Sequence, residues 1–578
     1  MTASSSSSPT RSDSPDVELR SDHGDGSLFS RVEAHEVQVH LSTDLPEVFQ
    51  LPDHPFVVPS NFSRLELSRL VNQLLQQQNE EEWSGYQPFD FLVDAQWFLR
   101  TSLQKYMDDR GMTAEVPLNL HYQLAVRHLD ADTLPPTRDW ISSLTSIPSE
   151  GDLHWRVTVN TYLELRFHAM LMETSYDGRC RLYRVSRSSS SSPSSSHARP
   201  MLEVAMHQGP LTAGAAFAAG AFLPPHCMQL IVGSKGGALS VLNTWSESAP
   251  CSRKEEESKC SGGPEVSSIG SWHAELQCVG CQDSSVLCVG LSTDGVTIAS
   301  GGADGTVLLW ENFETLTEAA NRAEERAKEE EAVVELNAQG KPKRKRGPQR
   351  HGDSNTQQLD PKLRLSSNHT EAVTDVAFAP PPFRCVLFSG SLDGTISAWD
   401  TLVGGDPLST WTTPRAITSL TCSPTNGRVV CTAHEDGRIR LWDVRSGDSE
   451  VSSLIEPMKS SSTSKSVTTP DTNTRLDLRF AFGFPHRRLA TQVRWSPRGA
   501  KGDAVSEHLI SSVGQDGALR ILDVRAPSTP LLVLDISNGK EKKPVRLLTC
   551  TWCDTGRIAA GGSDGVTRIH TIGARWTG

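Results

Sequence analysis

The chain has 578 residues, 37% of them hydrophobic and 22% charged, which at about 100–200 residues per domain is room for two to four domains. With 69 acidic against 56 basic residues the formal net charge is −13, so a globally basic nucleic-acid binder is excluded, while 43 Gly and 34 Pro are too few for a collagen-like chain. No run of 18 uncharged apolar residues occurs and the N-terminus, MTASSSSSPTRSDSPD, has no apolar core, so neither a membrane-spanning nor a secreted chain is expected and the 12 cysteines read as reduced thiols.

Residues 1–34 are Ser-, Asp- and Gly-rich without periodicity, and are expected to be a disordered tail. A compact pattern follows. Val37, Val39 and Leu41 alternate with polar residues, and Phe56-Val57-Val58 is a second short apolar run, as in two adjacent strands. Ser63-Arg-Leu-Glu66 has the form of a capping box and opens a helix with Leu67, Leu70, Val71, Leu74 and Leu75 on one face. Phe89, Phe91 and Val93 alternate again, Asp94-Ala95 turns, and Trp97-Phe98-Leu99 continues as a strand. Thr101-Ser-Leu-Gln104 starts a short helix (Leu103, Tyr106, Met107) that Gly111 stops, and Leu118, Leu120 and Tyr122 alternate in a last strand. The order ββαββαβ predicts a ubiquitin-like β-grasp domain over residues 35–128, with a linker at 129–138 containing Leu134-Pro135-Pro136.

From residue 139 the grammar changes to repeats. SYDGRCRLY, SKGGALSVL, GGADGTVLLW, GSLDGTISAWD, AHEDGRIRLWD, GQDGALRILD and GSDGVTRIH share an apolar run, a tight turn closed by glycine and an alternating strand. Gly394 to Gly437 spans 43 residues and Gly517 to Gly565 spans 48, near the ~40–45 of a WD repeat. The expected architecture is mainly β: the β-grasp domain, then a seven-bladed WD-repeat β-propeller over residues 139–578. Its longer gaps are read as flexible insertions near residues 186–199, 246–270, 311–362 and 446–475. After Ile569-His570 only eight residues remain, too few for a comfortable outer strand, so an earlier segment is expected to complete the last blade.

Several motifs invite a chemical reading that their context removes. Gly561-Gly-Ser563-Asp-Gly565 matches the Gly-x-Ser-x-Gly nucleophile elbow, but a strand rather than a helix follows it, and sister blades repeat the position as GGADG and GSLDG. The turn aspartates Asp304, Asp393, Asp436, Asp516 and Asp564 occupy equivalent places in separate blades and are therefore structural. His369 with Asp393 and Trp399 fits the internal network of a WD blade, and Trp442 closes the blade of Asp436 in the same manner. The pairs Cys278/Cys281 and Cys550/Cys553 lie in strand-like stretches, where positions i and i+3 face opposite sides, so they read as buried small side chains rather than zinc ligands. No Walker loop, metalloprotease helix or dinucleotide fingerprint occurs. Neither catalysis nor a cofactor is expected. The remaining charged motif, Lys341-Pro-Lys343-Arg344-Lys345-Arg346, reads as a nuclear-import signal in an accessible insertion, with an RNA-contacting patch and a solvated charged loop as the other readings.

The segments VQVHLSTDLPEV, LSRLVNQLL, PFDFLVDAQWFLRTSLQKYM, GMTAEVPLNLHYQLA and DWISSL resemble the WD-repeat subunit of the Pescadillo–Block-of-proliferation–WD-repeat (PeBoW) complex, with its Notchless-like N-terminal domain. His121 departs from that pattern, where an acidic residue is expected, as do the long insertions. The resemblance implies a non-enzymatic scaffold of large-subunit ribosome biogenesis and pre-rRNA processing, located in the nucleus, nucleolus and nucleoplasm. Its implied partners are the Block-of-proliferation and Pescadillo subunits, the 66S pre-ribosome (with contact to pre-rRNA only indirect) and the giant ATPase Midasin; no membrane is implied. Midasin's adhesion site holds a divalent cation with an open position, and the family's ligand to it is a glutamate in a Gly-x-Ser/Thr-x-Glu context. In this sequence that context is Gly111-Met-Thr113-Ala-Glu115, which makes Glu115 the metal ligand in trans. An adaptor of the ubiquitin–proteasome pathway is the competing class, since a ubiquitin-like fold beside a propeller would serve it too.

Overall fold

The computed structural model describes residues 35–573, apart from 79–85, 148–168, 186–198, 219–226, 247–264, 312–356, 447–473, 498–507, 537–543 and shorter internal stretches. Eight sheets are present among the described residues. The first belongs to the N-terminal domain and contains β1 (Glu36–Ser42), β2 (Phe56–Pro59), β3 (Phe89–Val93), β4 (Trp97–Phe98) and β5 (Leu118–Leu124). Its spatial order is β2-β1-β5-β3-β4, with β1 and β5 parallel, which is the β-grasp arrangement. The helix α1 (Arg64–Gln78) crosses one face. Leu67, Val71 and Leu75 from α1 meet Val37, Val39 and Leu41 from β1, together with Phe89, Phe91, Leu120 and Tyr122, in one buried cluster. The alternation in the strands and the i, i+4, i+8 spacing in the helix are thus two halves of a single core.

Local chemistry sets the ends of both helices. At the start of α1 the Glu66 carboxylate accepts from the Ser63 backbone N–H at 2.9 Å and from the Ser63 hydroxyl, and these bonds hold its pKa below the usual range. In α2 (Leu103–Arg110) the Ser102 side chain accepts from the Lys105 N–H, and Gly111 ends the helix in the left-handed conformation at φ 64°.

The other seven sheets have four or five strands each. Their innermost strands are Ile141–Ile147, Leu211–Ala218, Val286–Leu291, Val373–Phe378, Ile417–Cys422, Ala490–Trp495 and Leu547–Asp554, each beside the next and the last beside the first. The sheets therefore close into a ring, the solution a propeller uses to leave only short edges. Polar struts tie neighbouring sheets near the inner strands. Asp375 accepts from Arg494 at 2.8 Å and from the Ser419 hydroxyl at 2.7 Å, joining the fourth, fifth and sixth blades. The turn glycines are needed on two counts. Gly437 has φ 77°, and a Cβ there would lie 2.3 Å from the His486 carbonyl oxygen.

Two features differ from the sequence reading. The first half of the segment expected as a linker at 129–138 is strand: β6 (Arg127–Thr133) pairs antiparallel with Thr567–Gly573 and supplies the outer strand of the seventh blade. Only Ala125 and Val126 separate β5 from β6. That sheet takes three strands, Leu547–Asp554, Arg557–Gly562 and Thr567–Gly573, from the last blade and its fourth from upstream. The insertions also contribute to the ring. Glu265–Ser268 pairs with Leu202–Ala205 as a fifth strand of the first blade, and Gln357–Leu359 adds in parallel to the fifth-strand position of the second.

Candidate functional site

The loop carrying the Gly-x-Thr-x-Glu motif leaves the end of α2. Its start is fixed by the Gly111 N–H bonding to the Asp108 carbonyl at 3.2 Å and the Met112 N–H bonding to the Met107 carbonyl at 2.9 Å. Met112 packs against the domain core, and Leu118, where β5 begins, is buried in it. The Arg110 guanidinium lies 4.7 Å from the Tyr106 ring centre and 5.8 Å from that of Trp97, which ties the helix end to β4. Asp108 and Asp109 are exposed on the same turn, beside Arg110. Glu115 itself falls in 114–116, outside the described residues, as do Lys341, Lys343, Arg344, Lys345 and Arg346.

The structure brings the predicted blade residues together. Trp399 Nε1 donates to the Ser389 hydroxyl at 2.8 Å, His369 Nε2 is 2.7 Å from the same oxygen, and His369 Nδ1 lies 3.5 Å from the Asp393 carboxylate. Burial pushes the pKa of His369 down while Asp393 pulls it up, and burial wins. Trp442 is bonded likewise to Thr432, but the histidine beside Thr432 is His434, from the same strand, at 2.7 Å. Burial drives His434 down to about 4, so it is neutral at neutral pH. Asp436 is not its partner: it accepts from Arg440 Nη2 at 2.5 Å.

That last contact exposes a rule the sequence reading missed. In six blades the turn aspartate accepts the backbone N–H two residues on: Arg179 on Asp177, Thr306 on Asp304, Thr395 on Asp393, Arg438 on Asp436, Ala518 on Asp516 and Val566 on Asp564. In four of them an arginine four residues on (Arg181, Arg440, Arg520 or Arg568) neutralises the carboxylate across one strand face. These aspartates build turns. Aligning the repeats on their glycines reveals the pattern, with an arginine three residues after Gly178, Gly437, Gly517 and Gly565. The same alignment places Glu173 where Ser300, Ser389, Thr432 and Ser512 stand in other blades, five residues before the glycine. Glu173 is fully buried, accepts from the Thr567 hydroxyl of the seventh blade at 2.6 Å, and is pushed up to about 7 by burial.

The remaining candidates are also resolved by geometry. Gly561–Gly565 runs from one strand into the next, Thr567–Gly573, and so is a blade turn. Cys550 and Cys553 are buried as expected, but Cys281 is exposed, a correction that follows from its place at the end of its strand. Among the described residues no group of three or more His, Cys, Asp or Glu is placed to hold a metal ion. Large apolar side chains are exposed in the loop between Thr395–Asp400 and Ser409–Thr412, namely Leu402, Val403 and Leu408.

Comparison with known proteins separates this chain from propellers at large. Residues 37–107 match the NLE (NUC135) domain model, and residues 274–311, 361–400 and 405–443 match the WD domain, G-beta repeat. The chain carries an NLE domain and WD repeats. Each WD match begins one strand before its sheet; residues 361–400 take in Leu363–Leu365, the outer strand of the third blade, and then the fourth blade's first three strands. The same offset leaves the seventh blade one strand short, which β6 makes good just after the NLE domain. The chain is similar along most of its length to proteins named for ribosome biogenesis. It is 26% identical over 498 residues to the "Ribosome biogenesis protein WDR12 homolog" of Chlamydomonas reinhardtii, covering 85% of this chain and 88% of that one. It is 25% identical over 549 residues to "Ribosome biogenesis protein YTM1" of Scheffersomyces stipitis, covering 93% and 97%. A WDR12 homolog of Arabidopsis thaliana is 23% identical over 558 residues, covering 95% and 98%. The resemblance to the PeBoW WD-repeat subunit is borne out by this pairing of NLE domain and WD repeats.

Proposed function

We propose that the protein is a non-enzymatic scaffold in the biogenesis of the large ribosomal subunit. The observation that carries this reading is the end-to-end similarity, NLE domain and ring together, to relatives named for ribosome biogenesis. In this reading the propeller binds the Block-of-proliferation subunit and so joins Pescadillo, and the NLE domain engages Midasin for release from the 66S pre-ribosome. The basic run Lys341–Arg346 takes the protein to the nucleus and nucleolus. Glu115 completes the partner's divalent-cation coordination. A carboxylate suits a hard cation, and the residues flanking the motif are fixed, Gly111 as the cap of α2 and Leu118 in the domain core.

Glu115→Ala removes the ligand, and Glu115→Asp shortens its reach by about 1.5 Å, one carbon–carbon bond, against metal–oxygen distances of ~2.0–2.6 Å that leave little slack. Both variants should fold and enter the PeBoW complex. Both should accumulate on large-subunit precursors. The alanine variant should also lose magnesium-dependent binding to Midasin's isolated adhesion domain; wild-type affinity would refute the assignment. Co-purification with proteasomes instead of Midasin would favour the ubiquitin-pathway class.

A further inference from the structure

All five residues of β3 are buried. Strand alternation accounts for Phe89, Phe91 and Val93, which face α1. Asp90 and Leu92 point to the opposite face, which a β-grasp sheet covered by one helix leaves to water. Here the propeller covers it. Leu92 and Phe98 pack with Leu531, just before the outer strand Leu532–Asp535 of the sixth blade. Arg525 from the same blade lies 5.3 Å from the Phe98 ring centre and donates to Gln123 at 3.4 Å, while Asp523 holds its guanidinium at 2.8 Å. Backbone geometry leaves little room for a swivel. Ala125, one of the two residues between β5 and β6, is fully buried with its N–H on the Pro88 carbonyl at 2.9 Å, and Val126 packs against the sixth and seventh blades. The joint is nevertheless imperfect: Arg100, paired with Asp90 at 3.4 Å, keeps buried Nε and Nη2 atoms without a partner among the described residues. Such unmet donors offset part of the apolar gain.

We propose that the outer face of the β-grasp sheet is a docking face for the chain's own sixth blade, fixing the NLE domain to the ring as one rigid body. Two consequences follow. A pull on the Gly111–Leu118 loop reaches the propeller without loss in a flexible hinge, and the covered face is closed to a second protein. The first consequence rests on the release role proposed above; the docking itself does not.

Full-length protein carrying a dye on an unnatural amino acid at Gln73, exposed on α1, tests the docking by time-resolved anisotropy. Wild type should tumble as a single body, and the double variant Phe98→Ala, Arg525→Ala should add a component several-fold faster, of the size of one domain. A fast domain-sized component in wild type overturns the proposal. Release from pre-ribosomes tests the consequence. The double variant should bind the adhesion domain normally yet be released several-fold more slowly, whereas an oxidised Leu92→Cys, Leu531→Cys clamp should be released at the wild-type rate. If the clamp blocks release, or the double variant is released as fast as wild type, the rigid-body inference is wrong while the metal-ligand reading stands. If Glu115→Ala keeps its affinity, that reading falls and the anisotropy result still decides the docking.

Discussion

Replacing Glu173 with glutamine should stabilise the ring above neutral pH and change little below pH ~4. Glu173 occupies the place of a blade hydroxyl, buried between the first and seventh blades. The nearest cation, Arg181, is 3.7 Å away, but Asp177 at 2.6 Å and Glu203 at 3.1 Å already neutralise it. Desolvation therefore dominates and raises the carboxyl from 4.5 to about 7. In the unfolded chain the same group titrates near ~4.3. Below that pH it is protonated in both states and has no effect on stability. As pH rises toward 7 the unfolded chain ionises first, so folding loses stability progressively, up to about 3 kcal/mol at one pKa unit per 1.36 kcal/mol. Glutamine keeps an acceptor for Thr567 and carries no charge, so it removes that loss. Thermal unfolding of wild type and variant at pH 4, 6 and 8 should show a gap that opens with pH and reaches several degrees. A variant that unfolds below wild type at pH 8 would refute the reasoning, because Glu173 would then be a functioning ion-pair partner of Arg181. So would a gap of equal size at all three pH values.

The ring-closing role of β6 sets where the N-terminal domain can be cut away. A chain beginning at Arg127 keeps the closing strand and should still bind the Block-of-proliferation subunit. One beginning at Leu134 leaves Thr567–Gly573 as a bare edge and should unfold at lower temperature in calorimetry; equal midpoints would show that β6 adds nothing to closure. Alanine at Lys341, Lys343, Arg344, Lys345 and Arg346 should hold the protein in the cytoplasm by fluorescence microscopy, and an unchanged nucleolar signal would show that partners or another segment carry import.

What the sequence determined by itself is what depends on neighbours along the chain. Alternation at Val37, Val39 and Leu41, the helical spacing of Leu67, Val71 and Leu75, the stop at Gly111 and the repeated turn glycines are all local patterns, and each names its element without knowledge of the rest. The tetrad of His369, Ser389, Asp393 and Trp399 was within reach for the same reason, since one repeat contains it. Tertiary structure alone decided contacts between residues that no periodicity relates. His128 meets Ile572 when β6 closes the ring, and Glu173 finds Thr567 across the first and last blades. Leu92 and Phe98 look like ordinary strand residues until Leu531 and Arg525 cover them. Alternation tells which face of a strand a residue takes; what covers that face depends on how distant segments meet, and a sheet whose two faces are both buried shows this only once its neighbour is in place.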